Sequence, residues 1–179
     1  MPVRALRCNR WTLCLAEAAA YHRAFLGRHL FDYCPTVREL LLAGLAIPAV
    51  QYVQARRVQH LITRKFAALF QEVDVLALPT MLREAPPAAA AASSGSWQAL
   101  RNRIQLVAPF NLTGSPAVSV PAGRTPSGLP VGLQIVGPHY AERKVLALAA
   151  VVQQTVPLPP PPDDLGGERA AHEGANDHD

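Results

Sequence analysis

Lysine is almost absent from this chain. Of 17 basic residues only Lys65 and Lys144 are lysines, and the arginines are scattered along several segments, with only the Arg56-Arg57 pair close-set. Aromatics make up 6% of the chain, too few to interleave with those bases into a nucleic-acid-binding stripe. Acids are also scarce over most of the length. Six of the 13 lie in residues 163–179, leaving sixteen bases against seven acids elsewhere. The excess positive charge is therefore spread out, and no nucleic-acid partner is expected. Cysteine is limited to Cys8, Cys14 and Cys34, an odd number at spacings that match no zinc pattern. Free thiols in a reducing cytoplasm are the expectation. No apolar run approaches the roughly 20 residues of a membrane span, so no membrane partner is expected. The head MPVRALRCNRWTLCL resembles a signal peptide, but Glu17 interrupts it and a helical pattern continues beyond. Asn111-Leu112-Thr113 fits a glycosylation sequon that a cytoplasmic chain would not use.

Proline is abundant. Seventeen prolines exclude an unbroken helical bundle, while a 50% hydrophobic content is enough for a core. Residues 17–30 carry Ala18, Tyr21 and Phe25 at helical spacing, and Pro35 stops that helix. Thr36 and Glu39 have the spacing of a capping box for a short helix ending near Gly44. Pro48 opens a long helix. Its apolar stripe is expected to contain Val50, Val53, Val58, Leu61, Ile62, Leu69 and Phe70, opposite Arg56, Arg57 and Arg64. VDVLALP, residues 73–79, reads as a strand buried on both faces. A low-complexity loop and a helix from Trp97 to about Leu106 follow. PAVSVPAG and PVGLQIVG then alternate as an antiparallel hairpin, and YAERKVLALAAVVQQ forms a last amphipathic helix. Residues 157–179, Pro-rich then acidic, read as a disordered tail.

Catalytic chemistry is hard to assemble from these residues. A nucleophile needs a base within hydrogen-bond reach. The Ser93, Ser94 and Ser96 cluster reads as a flexible loop, and Lys65 and Lys144 read as solvated surface. His22 and His29 lie seven apart on one helix with no carboxylate cluster beside them. No metal site and no cofactor are expected. Asp74 is placed at a strand start, touching a helix end, because full burial without a partner would be costly.

Taken together, VDVLALPT, APFNLTGSPAVSVPAG and GLPVGLQIVG resemble the C-terminal part of the amidase signature family. EAAAYH, VRELLLAG and YVQARRVQHLITRKFAALF resemble the helices before it. The likeness runs over about residues 17–154. It implies an α/β fold, a mixed β-sheet flanked by helices, with the N-terminal half of the sheet missing. The division expected is an unmatched head 1–16, a partial amidase domain 17–156 and the tail 157–179. The head resembles nothing in the family, the pattern expected of a truncated gene, a frameshift or a late start codon.

The family hydrolyses carboxamides, or transfers from them, through a Ser–cis-Ser–Lys triad placed upstream of everything matched here. No residue of this sequence takes over a catalytic role. Thr80 and Asn111 are the residues expected near a substrate, and Gly114, Pro116 and Gly128 are expected to be architectural turns. Family members that take ammonia from glutamine for tRNA carry an Arg near the position of Gln59 and an Asp near that of Ile104. A neutral amide and an alkyl group cannot form those ion pairs. The resemblance therefore favours a general amidase. Three roles follow as expectations: an amidase portion inactive alone, half of a split amidase completed by a separate N-terminal polypeptide, or a non-enzymatic interaction module. Self-association through an open sheet edge is a further expectation.

Overall fold

The computed structural model describes residues 3–87 and 103–156, with side chains from Arg10 onward. Its elements are α1 (Val3–His29), a 3-10 turn (Leu30–Asp32), α2 (Pro35–Leu45), α3 (Ala49–Leu69), β1 (Leu76–Pro79), α4 (Ala108–Thr113), β2 (Ala117–Arg124), β3 (Pro130–Val136) and α5 (Glu142–Thr155). Helices and a small sheet make this an α/β fold. The expected loop serines 93–96, the start of the helix from Trp97, and the tail 157–179 lie outside the described residues.

Helix α1 has no secondary-structure break at Glu17. Alanines favour it, and neither Gly nor Pro interrupts it before Gly27. Arg28 and His29 in its last turn oppose the negative end of the helix dipole. Its inward residues are Leu13, Ala19 and Leu26, whereas Tyr21 is 77% exposed and Phe25 also faces outward. The expected Ala18–Tyr21–Phe25 core face is thus a neighbouring face. Helical spacing identifies a stripe, but small alanines allow α2 and α3 to pack closer on the adjacent side. Arg38 donates to the carbonyl oxygens of Leu30, Phe31 and Tyr33, closing the chain turn after α1.

Helix α2 starts at Pro35 without a side-chain cap from its N-cap residue Cys34. The expected Thr36–Glu39 capping box does not form. Proline fixes a helical φ and needs no N–H partner, so it starts the helix one residue before Thr36 could act as a cap. Gly44 is buried against α1, where an added Cβ would collide with the Leu15 carbonyl oxygen and lie 2.8 Å from Ala19 Cβ. Absence of a side chain is what brings the two helices together.

Pro48 sets the corner at which α3 leaves α2, with the two helices bent by 98°. The buried residues of α3 are Ala55, Val58 and Ile62. With Leu13, Leu112, Tyr52 and Phe66 they form the helical core. Val50, 79% exposed, and Val53 and Leu61 face away from it. The long apolar stripe expected there is therefore two stripes, and only one is covered by this chain. No single described helix is long and apolar enough to cross a membrane.

The sheet has strand order β1-β3-β2, and both ladders are antiparallel. Leu78 pairs with Gln134 and Val118 with Ile135. Strand β1 is four residues long and alternately half-buried and exposed, not buried on both faces as the apolar run 73–79 suggests. Val73 and Asp74 precede it on the surface. The physical reason is position: β1 is an edge strand of the described sheet, with β3 as its one neighbour. Asp74 pairs instead with Lys144 in the first turns of α5, at 2.6 Å. The mixed sheet implied by the resemblance would need strands beyond these three.

One sheet face packs on α5. Val120, Ile135, Val145 and Ala149 are buried there, joined by Val75, Val118, Leu133 and Leu148. Burying each such aliphatic side chain contributes roughly 1.5–3 kcal/mol.

Candidate functional site

The other sheet face carries the polar side chains. Period-two alternation places Leu76, Leu78 and Thr80, Ser119, and Gly132 and Gln134 on that side of the three strands. Just past β1, Thr80 N–H donates to the Gly132 carbonyl at 2.8 Å. Above Gly132 the hydroxyls of Thr80 and Ser119 meet at 2.5 Å, reaching across the central strand from both neighbours. They can do so because Gly132 has no side chain. A Cβ there would lie 2.7 Å from Thr80 Oγ1 and 2.8 Å from Ser119 Oγ. Gln134, buried beside them, donates from Nε2 to the Leu106 carbonyl at 3.3 Å.

Gly132 also lines a cavity of about 830 Å³. The segment after Thr80 supplies one wall, including Met81, Leu82, Arg83 and Glu84. Arg103 and Gln105 supply a second, and Thr125, Pro130 and Val131 close the hairpin side. Its size falls within the range of about 300–1,000 Å³ typical of small-molecule pockets. Glu84 accepts a 2.8 Å hydrogen bond from Ser127, which tethers this wall to the hairpin loop. That loop turns through Gly128, at φ 84°, a left-handed conformation suited to glycine.

Asn111 lies elsewhere, on the exposed side of α4, and no hydrogen bond joins it to Thr80. The end of α4 is held by long-range bonds. Gln59 Nε2 on α3 donates to the Leu112 carbonyl at 2.7 Å, and His139 Nε2 after β3 donates to the Thr113 carbonyl at 2.8 Å. Gly114 follows at φ 73°, its N–H donating to Phe110, and Pro116 leads into β2 with its carbonyl accepting from Gly137 N–H. Gln59 is further engaged by Arg56, whose Nη1 donates to Oε1 at 2.7 Å. Arg56 is in turn 3.9 Å from Glu17, and Tyr52 donates to the same carboxylate, which raises the Tyr52 pKa above its ordinary value.

The described serines are each engaged. Ser115 bonds Thr113, Ser119 bonds Thr80, and Ser127 bonds Thr125 and Glu84. Neither lysine reaches them: Lys144 bonds Asp74, whose pKa it lowers, and Lys65 is exposed on α3. His22 bonds the Tyr33 hydroxyl and His29 bonds Asp32. Among the described residues no group of three or more His, Cys, Asp or Glu is placed to hold a metal ion. Ser119 and Gly132 were not singled out by sequence reasoning. A glycine inside an alternating strand, marking close approach of a neighbour, was the available signal.

The amidase family profile matches residues 35–146. The chain belongs to the amidase family. This amidase-family chain is 37% identical over 109 residues to fatty acid amide hydrolase of Medicago truncatula, covering 59% of this chain and 18% of the relative. It is 30% identical over 141 residues to the putative amidase AmiD of Mycobacterium tuberculosis, covering 77% of this chain and 29% of that protein. Similarity extends to glutamyl-tRNA(Gln) amidotransferase of Parvibaculum lavamentivorans, with 40% identity over 114 residues, 63% of this chain and 22% of the relative. A crystal structure of an amidase superposes with a TM-score of 0.75 at 30% identity, covering 87% of this chain and 36% of that one. The chain thus spans less than a third of the length of these three curated relatives.

Proposed function

We propose that this chain supplies the C-terminal portion of an amidase-type hydrolase acting on carboxamide C–N bonds. Its hairpin, β1 and the segment after Thr80 form a wall of the acyl pocket, and it does not hydrolyse amides by itself. The Ser–cis-Ser–Lys triad comes from the preceding portion of the family fold, in one polypeptide or, as half of a split enzyme, in a separate one. The observation that carries this reading is the pairing of a 36% share of a whole amidase with a sheet whose outer strands, β1 and β2, each have one described neighbour. Strand edges of that kind invite further pairing, with the completing portion or with a second copy.

Engagement of all three described serines by threonines or Glu84, and of Lys144 by Asp74, supports a scaffolding role for these groups. Gln59 supports a substrate less charged than an amino acid. Its amide is committed to the Leu112 carbonyl and to Arg56, and presents no cation to a carboxylate.

The test is an amide-hydrolysis panel run on the purified 179-residue chain, with a fluorophosphonate probe for activated serines. No turnover and no labelling are expected. Turnover accompanied by a covalent adduct mapped to one of its own serines overturns the proposal.

A further inference from the structure

The geometry points to a second property: the cavity beside Gly132 binds small organic carboxylates with an apolar body. This inference stands on the cavity alone and does not require the chain to catalyse anything.

Three observations combine. The cavity has the size of a small-molecule site, about 830 Å³. Part of its lining is apolar and open to solvent, since Met81 is 44% and Leu82 57% exposed. Arg83 and Arg103 line it together with one acidic side chain, Glu84. The Glu84 carboxylate already accepts the Ser127 hydroxyl. Arg83 makes no hydrogen bond or ion pair with another described residue, so its guanidinium is available. A guanidinium presents parallel N–H donors that match the two oxygens of a carboxylate. Apolar wall and guanidinium together select an amphipathic monoanion. An ammonium of the same body would meet two arginines, and a neutral amide would leave the guanidinium without a counter-charge.

Three probes of one shape test it: 4-phenylbutyrate, 4-phenylbutyramide and 4-phenylbutylamine, titrated into the full 179-residue chain by calorimetry. The carboxylate is expected to bind saturably and most tightly, and to weaken in about 0.5 M salt, as a charge contact should. Arg83→Gln is expected to weaken the carboxylate about fivefold, the scale of a partly exposed charge pair, and to leave the amide unchanged. Arg83 is on an exposed segment, and an unchanged circular-dichroism spectrum confirms that the variant folds. If it does not, Leu82→Ala provides the second test, weakening carboxylate and amide in parallel through the shared apolar body. Equal binding of all three probes, no saturable carboxylate binding, or less than about a twofold effect of Arg83→Gln overturns the inference. Its failure would leave the amidase reading intact, because that reading is tested by turnover and serine labelling.

Discussion

Two glycine-to-alanine substitutions on packed helices should change stability in opposite directions. At Gly44 in α2, a new Cβ would strike the Leu15 carbonyl oxygen and lie 2.8 Å from both Ala19 Cβ and the Leu15 carbonyl carbon. Two of these three atoms are backbone, so no rotamer change relieves the collision and α1 must shift away from α2. Overpacking of this kind costs about 1–3 kcal/mol. Alanine regains at most about 1 kcal/mol of helix propensity, and less this close to the helix end. A net loss of about 1 kcal/mol lowers the melting temperature of a domain this size by about 3–5 °C. At Gly27 in α1 a new Cβ meets nothing within 4 Å. There only the propensity gain remains, and Gly27→Ala should stabilise by about 0.5–1 kcal/mol. Circular dichroism at 222 nm during thermal and urea unfolding of both variants measures the pair. A Gly44→Ala chain that melts at or above the unmodified one would refute the close α1–α2 contact.

Gln59→Leu should destabilise by about 1–2 kcal/mol, because it leaves the Leu112 carbonyl without its side-chain partner in a half-buried place; urea unfolding reads the loss, and Gln59→Glu should not restore it. The Asp74 carboxyl should titrate below the ordinary aspartate range, since Lys144 donates to and attracts its ionised form. The stability this pair contributes is fully present above the unfolded aspartate pKa and fades as pH falls through the lowered folded value. Carbon-detected NMR should show the midpoint returning to the ordinary range in Lys144→Met.

The hairpin was legible because alternation and turn residues act locally. Val118, Val120, Leu133 and Ile135 fall on one face whatever surrounds them, and Gly128 takes its turn conformation from the loop itself. The position of β1 was less legible. An apolar run records what a strand can bury against and does not count its neighbours, so residues 73–79 read as a central strand while the described sheet leaves β1 at an edge. Helical faces failed for a related reason. Tyr21 and Phe25 are the larger side chains, but Ala19 and Gly44 allow the closer approach, and contact went to the small residues. The cavity was half legible. Thr80 stood out next to a strand end, yet its partner Ser119 lies 39 positions away. That meeting depends on strand register and on the missing side chain of Gly132, neither of which is encoded in a local window. Asn111 attracted notice through its neighbours in the sequence, and the helix it sits on turns it outward.

Helix α4 has six residues, far fewer than an isolated helix needs to persist in water. Gln59 from upstream and His139 from downstream grip its last carbonyls from opposite directions along the chain. Its formation is therefore a coincidence detector: it becomes worthwhile once the long helix before it and the hairpin after it have both arrived. Amide protons in this short helix should be among the last to gain protection during refolding and would report whether the two halves of the chain have met.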